Sequence, residues 1–158
     1  MKILIRSRER IQKMSQTPFC ATALISICDV GDAAVNLYNS PQHILNVAFN
    51  DVDNDIIVDE LRRPATEDER VNIEKKYGMI SDEQAIQIAQ FYLSICDSVS
   101  TLICQCEHGQ SRSAAIAAAV MEFRSRRGVD VFSDDRYYPN KVVYRKVLQA
   151  LKGANSEH

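Results

Sequence analysis

An α/β domain with a mainly parallel sheet is the fold class this sequence predicts, on three observations. Short β-branched or apolar runs alternate with longer helical patterns. The clearest helical patterns begin at residues that cap helices, Thr66, Ser81 and Asn140. A length of 158 residues, with 46% hydrophobic and 25% charged side chains, suits one compact domain over residues 1–158 whose core needs neither disulfide nor metal.

Taken in order, the strands expected are KILIR near Ile3, ALISIC around Ile25, ILNVAF around Val47 and TLICQ ending at Gln105. Thr66 with Glu69 has the form of a capping box and opens a short helix in the middle segment. Ser81 with Gln84 has the same form, and Ala85, Ile88, Ala89, Tyr92, Ile95 and Val99 then recur on one helical face. After TLICQ a helix is expected from near Ser113 through AAIAAAV, with Gly128 placed to end it. Asn140, following Pro139, caps a last helix that turns Val142, Val143, Val147 and Leu151 to the core, with Gly153 at its end. The chain shows no repeat, low-complexity tract or linker.

Composition narrows the function classes. With 19 basic and 21 acidic side chains the formal charge is -2, so no global field draws nucleic acid or anionic lipid, and any anion must be captured locally. No apolar run is long enough to span a bilayer, and MKILIRSRERIQKM is too charged for a signal peptide, so a cytoplasmic protein without a membrane partner is expected. The five cysteines form no C-x-x-C pair and read as free thiols, with Cys20, Cys28 and Cys96 as small buried hydrophobes. Arg124, Arg126 and Arg127 suit the negative end of a helix, and Tyr137 and Tyr138 read as packing or surface residues.

The chemistry is expected between the TLICQ strand and the Ser113 helix, in CEHGQSRS, Cys106 to Ser113. Successive backbone N–H groups of Glu107, His108, Gly109, Gln110, Ser111 and Arg112 in such a strand–loop–helix converge into a nest, and the positive end of the helix adds to its field. A phosphate dianion fits there. Gly109 allows a turn or a close approach, and the Arg112 fork matches two phosphate oxygens. The same field stabilises a thiolate on Cys106 and makes it a nucleophile.

C-x(5)-R followed by Ser, with a strand before and an alanine-rich helix after, resembles the active-site loop of protein tyrosine and dual-specificity phosphatases. YYPNKVVYRKVLQAL and FNDVD also resemble the compact prokaryotic and phage-type members, so the resemblance covers most of the chain beyond Ile25. It implies a phosphotyrosine-phosphatase-like fold with a central, mostly parallel sheet of about four to five strands flanked by helices. It also implies Cys106 as nucleophile, Arg112 as the holder of the equatorial oxygens, and Ser113 as donor to the sulfur. Ser111 is expected to serve through its backbone. The departure from the family is Gln105, where those phosphatases usually carry histidine; it implies a less stabilised thiolate.

The family takes its general acid from an aspartate on a separate loop. Ligands of parallel sheets bind beyond the carboxyl ends of the strands, so the acid should follow a strand neighbouring TLICQ. NDVDND after ILNVAF offers Asp51, Asp53 and Asp55; Asp51 is preferred because FND resembles the family's FDD, and Asp53 is second. Asp29 and Asp32 read as turn residues. No metal or organic cofactor is implied, since His108, Cys104 and Cys106 have no second cluster at zinc-site spacing. The expected substrate is a phosphorylated protein, phosphotyrosine first with dual specificity open, and nucleic acid is not the first choice. Two alternatives stand beside this: a silent phosphate-binding pseudophosphatase, and a rhodanese-like sulfur carrier.

Overall fold

The computed structural model describes residues 1–53 and 66–155. Its elements are β1 (Lys2–Ser7), α1 (Arg8–Met14), β2 (Thr22–Cys28), β3 (His43–Ala48), α2 (Glu67–Tyr77), α3 (Asp82–Ile95), β4 (Thr101–Cys106), α4 (Arg112–Ser125), α5 (Val129–Phe132) and α6 (Lys141–Asn155). The four strands pair in the order β1-β4-β2-β3, every pair parallel. All four expected strands are present, and the α/β class with its mostly parallel sheet is observed.

Parallel pairing puts every strand's carboxyl end on one edge. Ser7 aligns with Cys106 across β1 and β4, Ser26 with Gln105 across β2 and β4, and Cys28 with Ala48 across β2 and β3. The segments that leave these ends, at Arg8, Asp29, Phe49 and Glu107, therefore gather at one end of the sheet.

Strand alternation sorts the side chains to two faces. Ala23, Ile25, Ile27, Val47, Leu102, Cys104 and Cys106 face a core shared with α3, α4 and α6. Leu24 and Ile103 face the other way, onto Ile11 of α1. Helix α1 was not foreseen, because seven residues with one buried side chain are too few to show a period. Helix α4 is buried on all sides from Ala114 to Val120, so small residues there let the sheet and α6 approach closely.

The caps read from the sequence are made. Thr66 and Glu69, and Ser81 and Gln84, each exchange the two bonds of a capping box, and each cap contributes about 1 kcal/mol. Asn140 Oδ1 accepts from Val142 N at 3.0 Å and Val143 N at 3.1 Å. Two stops differ. Helix α4 ends at Ser125 with Arg126 left-handed at φ 58°, its N–H on Glu122 O, while Gly128 begins α5 instead. Glu122 accepts from Gly128 N, and a Cβ on Gly128 would stand 2.8 Å from Ala118 O, so packing is the reason for that glycine. Gly153 lies inside α6 with no described residue within 4 Å of its Cβ position, and the helix runs on to Asn155.

Candidate active site

Cys106 is the last residue of β4 and Arg112 the first of α4, so a strand and a buried helix hold the two ends of the loop. Both are buried, at 3% and 4% exposure, as is Ser113. Cys106 Sγ lies 3.1 Å from Ser113 Oγ. Cys104, two residues earlier on the same face, has its thiol pushed up by burial and by the neighbouring Cys106, and stays protonated.

Flanking elements show which way the loop peptides point. Glu107 O accepts from Arg8 N at 3.1 Å, Gln110 O from Tyr138 N at 2.8 Å, and Ser111 O from Ala115 N at 2.9 Å and Asn140 N at 3.4 Å. Carbonyl and N–H point opposite ways across a trans peptide. With those carbonyls turned outward, the N–H groups of His108, Ser111 and Arg112 face the inside of the loop, the arrangement of an anion nest.

Gly109 sits at φ +67°, and a Cβ there would stand 2.6 Å from Ser7 N and 2.7 Å from the Arg6 carbonyl carbon. The glycine is thus required by the β1–α1 junction as well as by the turn. Glu107 turns its carboxylate to Arg8 Nε at 2.9 Å, and His108 and Gln110 are exposed.

Arg112 is anchored by one nitrogen. Its Nη1 donates to Asp29 Oδ1 at 2.5 Å and Phe49 O at 2.7 Å, whereas its Nε is buried without an acceptor among the described residues. A buried, unpaired donor costs about 1–3 kcal/mol, which an anion accepting from it would offset. Asp29, read from the sequence as a turn residue, is therefore an orienting partner of Arg112. Asp29 directly follows the strand that pairs with β4, an adjacency that the strand order supplies and the sequence does not.

Asp51 reaches the loop by a different route from the one expected. β3 does not neighbour β4, because β2 lies between them. The chain after β3 turns back over the end of β2: Phe49 N donates to Cys28 O, and Asn50 Oδ1 accepts from Val30 N. Asp51 Oδ1 then accepts from Ser111 Oγ at 2.8 Å and Asn140 Nδ2 at 2.9 Å. Ser111, expected to serve through its backbone, thus also makes a side-chain hydrogen bond, to Asp51. Asp53 is half-buried, and Asp55 lies outside the described residues.

Gln105 points to the α1 face, opposite Cys106. It is fully buried and accepts from Ser26 Oγ at 2.6 Å, while its Nε2 is without a partner among the described residues. Cys28 and Cys96 are half-buried, but Cys20 is exposed in the turn before β2, where Thr22 Oγ1 caps its carbonyl. Its apolar neighbours in sequence did not carry it into the core. Among the described residues no helix is long and apolar enough to cross a membrane.

The architecture is that of a phosphatase fold, a parallel sheet flanked by helices with the loop at the end of its central strand. Among solved structures it is similar to PTPMT1 in complex with PI(5)P, with a TM-score of 0.52 and 10% identity over 99% of this chain and 94% of that one. A second PTPMT1 structure aligns at a TM-score of 0.45 and 9% identity, covering 99% and 93%. At such identity the first likeness is one of fold. No protein-family model matches the chain, and no curated protein matches it.

Proposed function

We propose that this chain is a cysteine-dependent phosphatase that hydrolyses phosphate monoesters through a phosphocysteine intermediate, with phosphotyrosine in proteins as its substrate and dual specificity open. The carrying observation is the loop itself: outward carbonyls at Glu107, Gln110 and Ser111, a buried Arg112 Nε unpaired among the described residues, and a thiol in contact with Ser113. These supply an anion cradle with a nucleophile at its floor.

In this reading the Cys106 thiolate attacks phosphorus in line as the ester P–O bond breaks, and Asp51 gives its proton to the departing oxygen. Arg112 and the loop N–H groups stabilise the charge on the equatorial oxygens. Water then attacks the phosphocysteine, Asp51 takes its proton, and Ser113 donates to the sulfur as the S–P bond breaks. Five free thiols suit a reducing, cytoplasmic setting.

The test is hydrolysis of an aryl phosphate by the wild-type chain, with acid-quenched protein examined by mass for phosphate on Cys106. Cys106→Ser is expected to lose turnover while still binding vanadate, since backbone and Arg112 form the cradle. Retained hydrolysis in that variant overturns the cysteine mechanism. The neutral, buried Gln105 amide in the family's histidine position favours one second reading, a silent phosphate-binding module. Vanadate binding without any aryl phosphate turnover decides for it.

A further inference from the structure

We propose that Asn140 is a positioning residue for the general acid: one amide that holds the Asp51 carboxylate in register with the phosphate loop. The proposal rests on the reading of Asp51 as the acid.

Asn140 is 2% exposed, and its side chain is used to capacity. Its oxygen accepts from Val142 N and Val143 N at the start of α6. Its nitrogen donates to Asp51 Oδ1 at 2.9 Å and Val52 O at 3.0 Å. An amide has two acceptor sites and two donor hydrogens, and all four are engaged. Capping alone does not call for this residue, because Ser, Thr and Asp cap a helix about as well. Asp has no donor for the carboxylate and Ser or Thr has one O–H on a shorter arm, whereas the amide accepts from both helix N–H groups and still gives one hydrogen to Asp51 and one to Val52 O.

The backbone adds a third link, since Asn140 N donates to Ser111 O while Ser111 Oγ donates to Asp51 Oδ1. Acid segment, phosphate loop and α6 thus meet at one point. Helix α6 is set into the core through Val142, Val143, Val147 and Leu151, so the acid is located by a rigid element rather than by its own loop. Both described bonds to Asp51 fall on Oδ1, which leaves Oδ2 to carry the proton. Catalytic groups lose rate when displaced by about 1 Å, so a residue that fixes this distance governs kcat without touching substrate.

The experiment compares Asn140→Ser and Asn140→Asp with wild type. Both retain an oxygen for the α6 cap and lose the amide hydrogens: Ser replaces them with a single O–H on a shorter arm, and Asp has no donor at all and brings in a like charge. Expected is a fall in kcat of about tenfold or more with phenyl phosphate, KM nearly unchanged, and less than about twofold with an aryl phosphate whose phenol is strongly acidic. Asn140→Asp should be the slower variant. In an Asp51→Asn background, Asn140→Ser should cause no further loss, because the residue acts through that carboxylate. Equal losses with both leaving groups, or a loss that persists undiminished in the Asp51→Asn background, overturn the proposal. If Asp51→Asn depends steeply on the leaving group and Asn140→Ser does not, Asn140 alone is misassigned. If Asp51→Asn itself shows no such dependence, the acid reading falls and takes this role with it.

Discussion

The two loops that meet at the site are built by different means. Cys106 to Ser111 is held largely through its main chain: its carbonyls accept from Arg8 N, Tyr138 N, Asn140 N and Ala115 N, and Gly109 is wedged against β1. The segment Phe49 to Asp53 is held largely through side chains. Asn50 donates to Tyr77 O and accepts from Val30 N, Gln84 Nε2 reaches back to Ala48 O, and Ser111 and Asn140 hold Asp51. On the proposed function, a cradle made of peptide groups tolerates most side-chain changes, whereas an acid segment hung on side chains is open to single substitutions. Anion binding and proton donation should therefore separate under mutation.

The largest separation is expected at Asp51. Asp51→Asn should slow phenyl phosphate hydrolysis by roughly 10²- to 10⁴-fold, as general acid catalysis typically contributes, while vanadate affinity in a Cys106→Ser background stays nearly constant. Steady-state rates and vanadate titration check the two halves, and the same defect in Asp53→Asn instead would move the acid to the second candidate. The reverse case is Gly109→Ala, where a Cβ meets backbone at Ser7 and Arg6 and a left-handed φ must be kept. Stability should fall by about 1–3 kcal/mol, and vanadate binding should weaken with it. Denaturant unfolding and anion titration read this out; unaltered binding would mean that the cradle does not depend on its seat against β1.

A smaller effect is expected from Asn50→Ala, which cuts the ties from the acid segment to Val30 and Tyr77. The defect should fall on poor leaving groups only, about tenfold, because the acid and not the cradle loses its position. Smallest of all are Gln110→Ala and Glu107→Ala. The first side chain is exposed, and the second makes a partly exposed ion pair with Arg8, so each should change anion binding by less than about 1 kcal/mol. A large loss at either would show that the cradle is built from side chains after all.

Much of this was legible in the residues, and the reasons differ by element. Strands such as TALISIC and TLICQC are dense in β-branched and apolar residues and bounded by turns, and the Ser81 and Thr66 boxes announce their helices, because all these signals are local. The loop is legible because its backbone role needs residues in sequence. Helix α1 lacked the length to declare itself. The ends of α4 and α6 were misread because a glycine near a helix end has two uses, and Gly128 serves close packing. Asn140 was legible as a cap, but its second pair of bonds spans 88 and 89 residues of chain.

By itself the sequence determined the α/β class, the four strands, three helix starts, and a cysteine-to-arginine loop set between a strand and a helix. Each depends on residues within a few positions of one another, where periodicity, capping and turn chemistry act. Only the tertiary structure decided that β2 separates β3 from β4, that Asp29 rather than solvent anchors Arg112, and that Asp51 meets Ser111 and Asn140. Those contacts depend on strand order and on the path of the chain back across the sheet's end. Strand order is set by packing the whole core, for which no local pattern of residues carries the information.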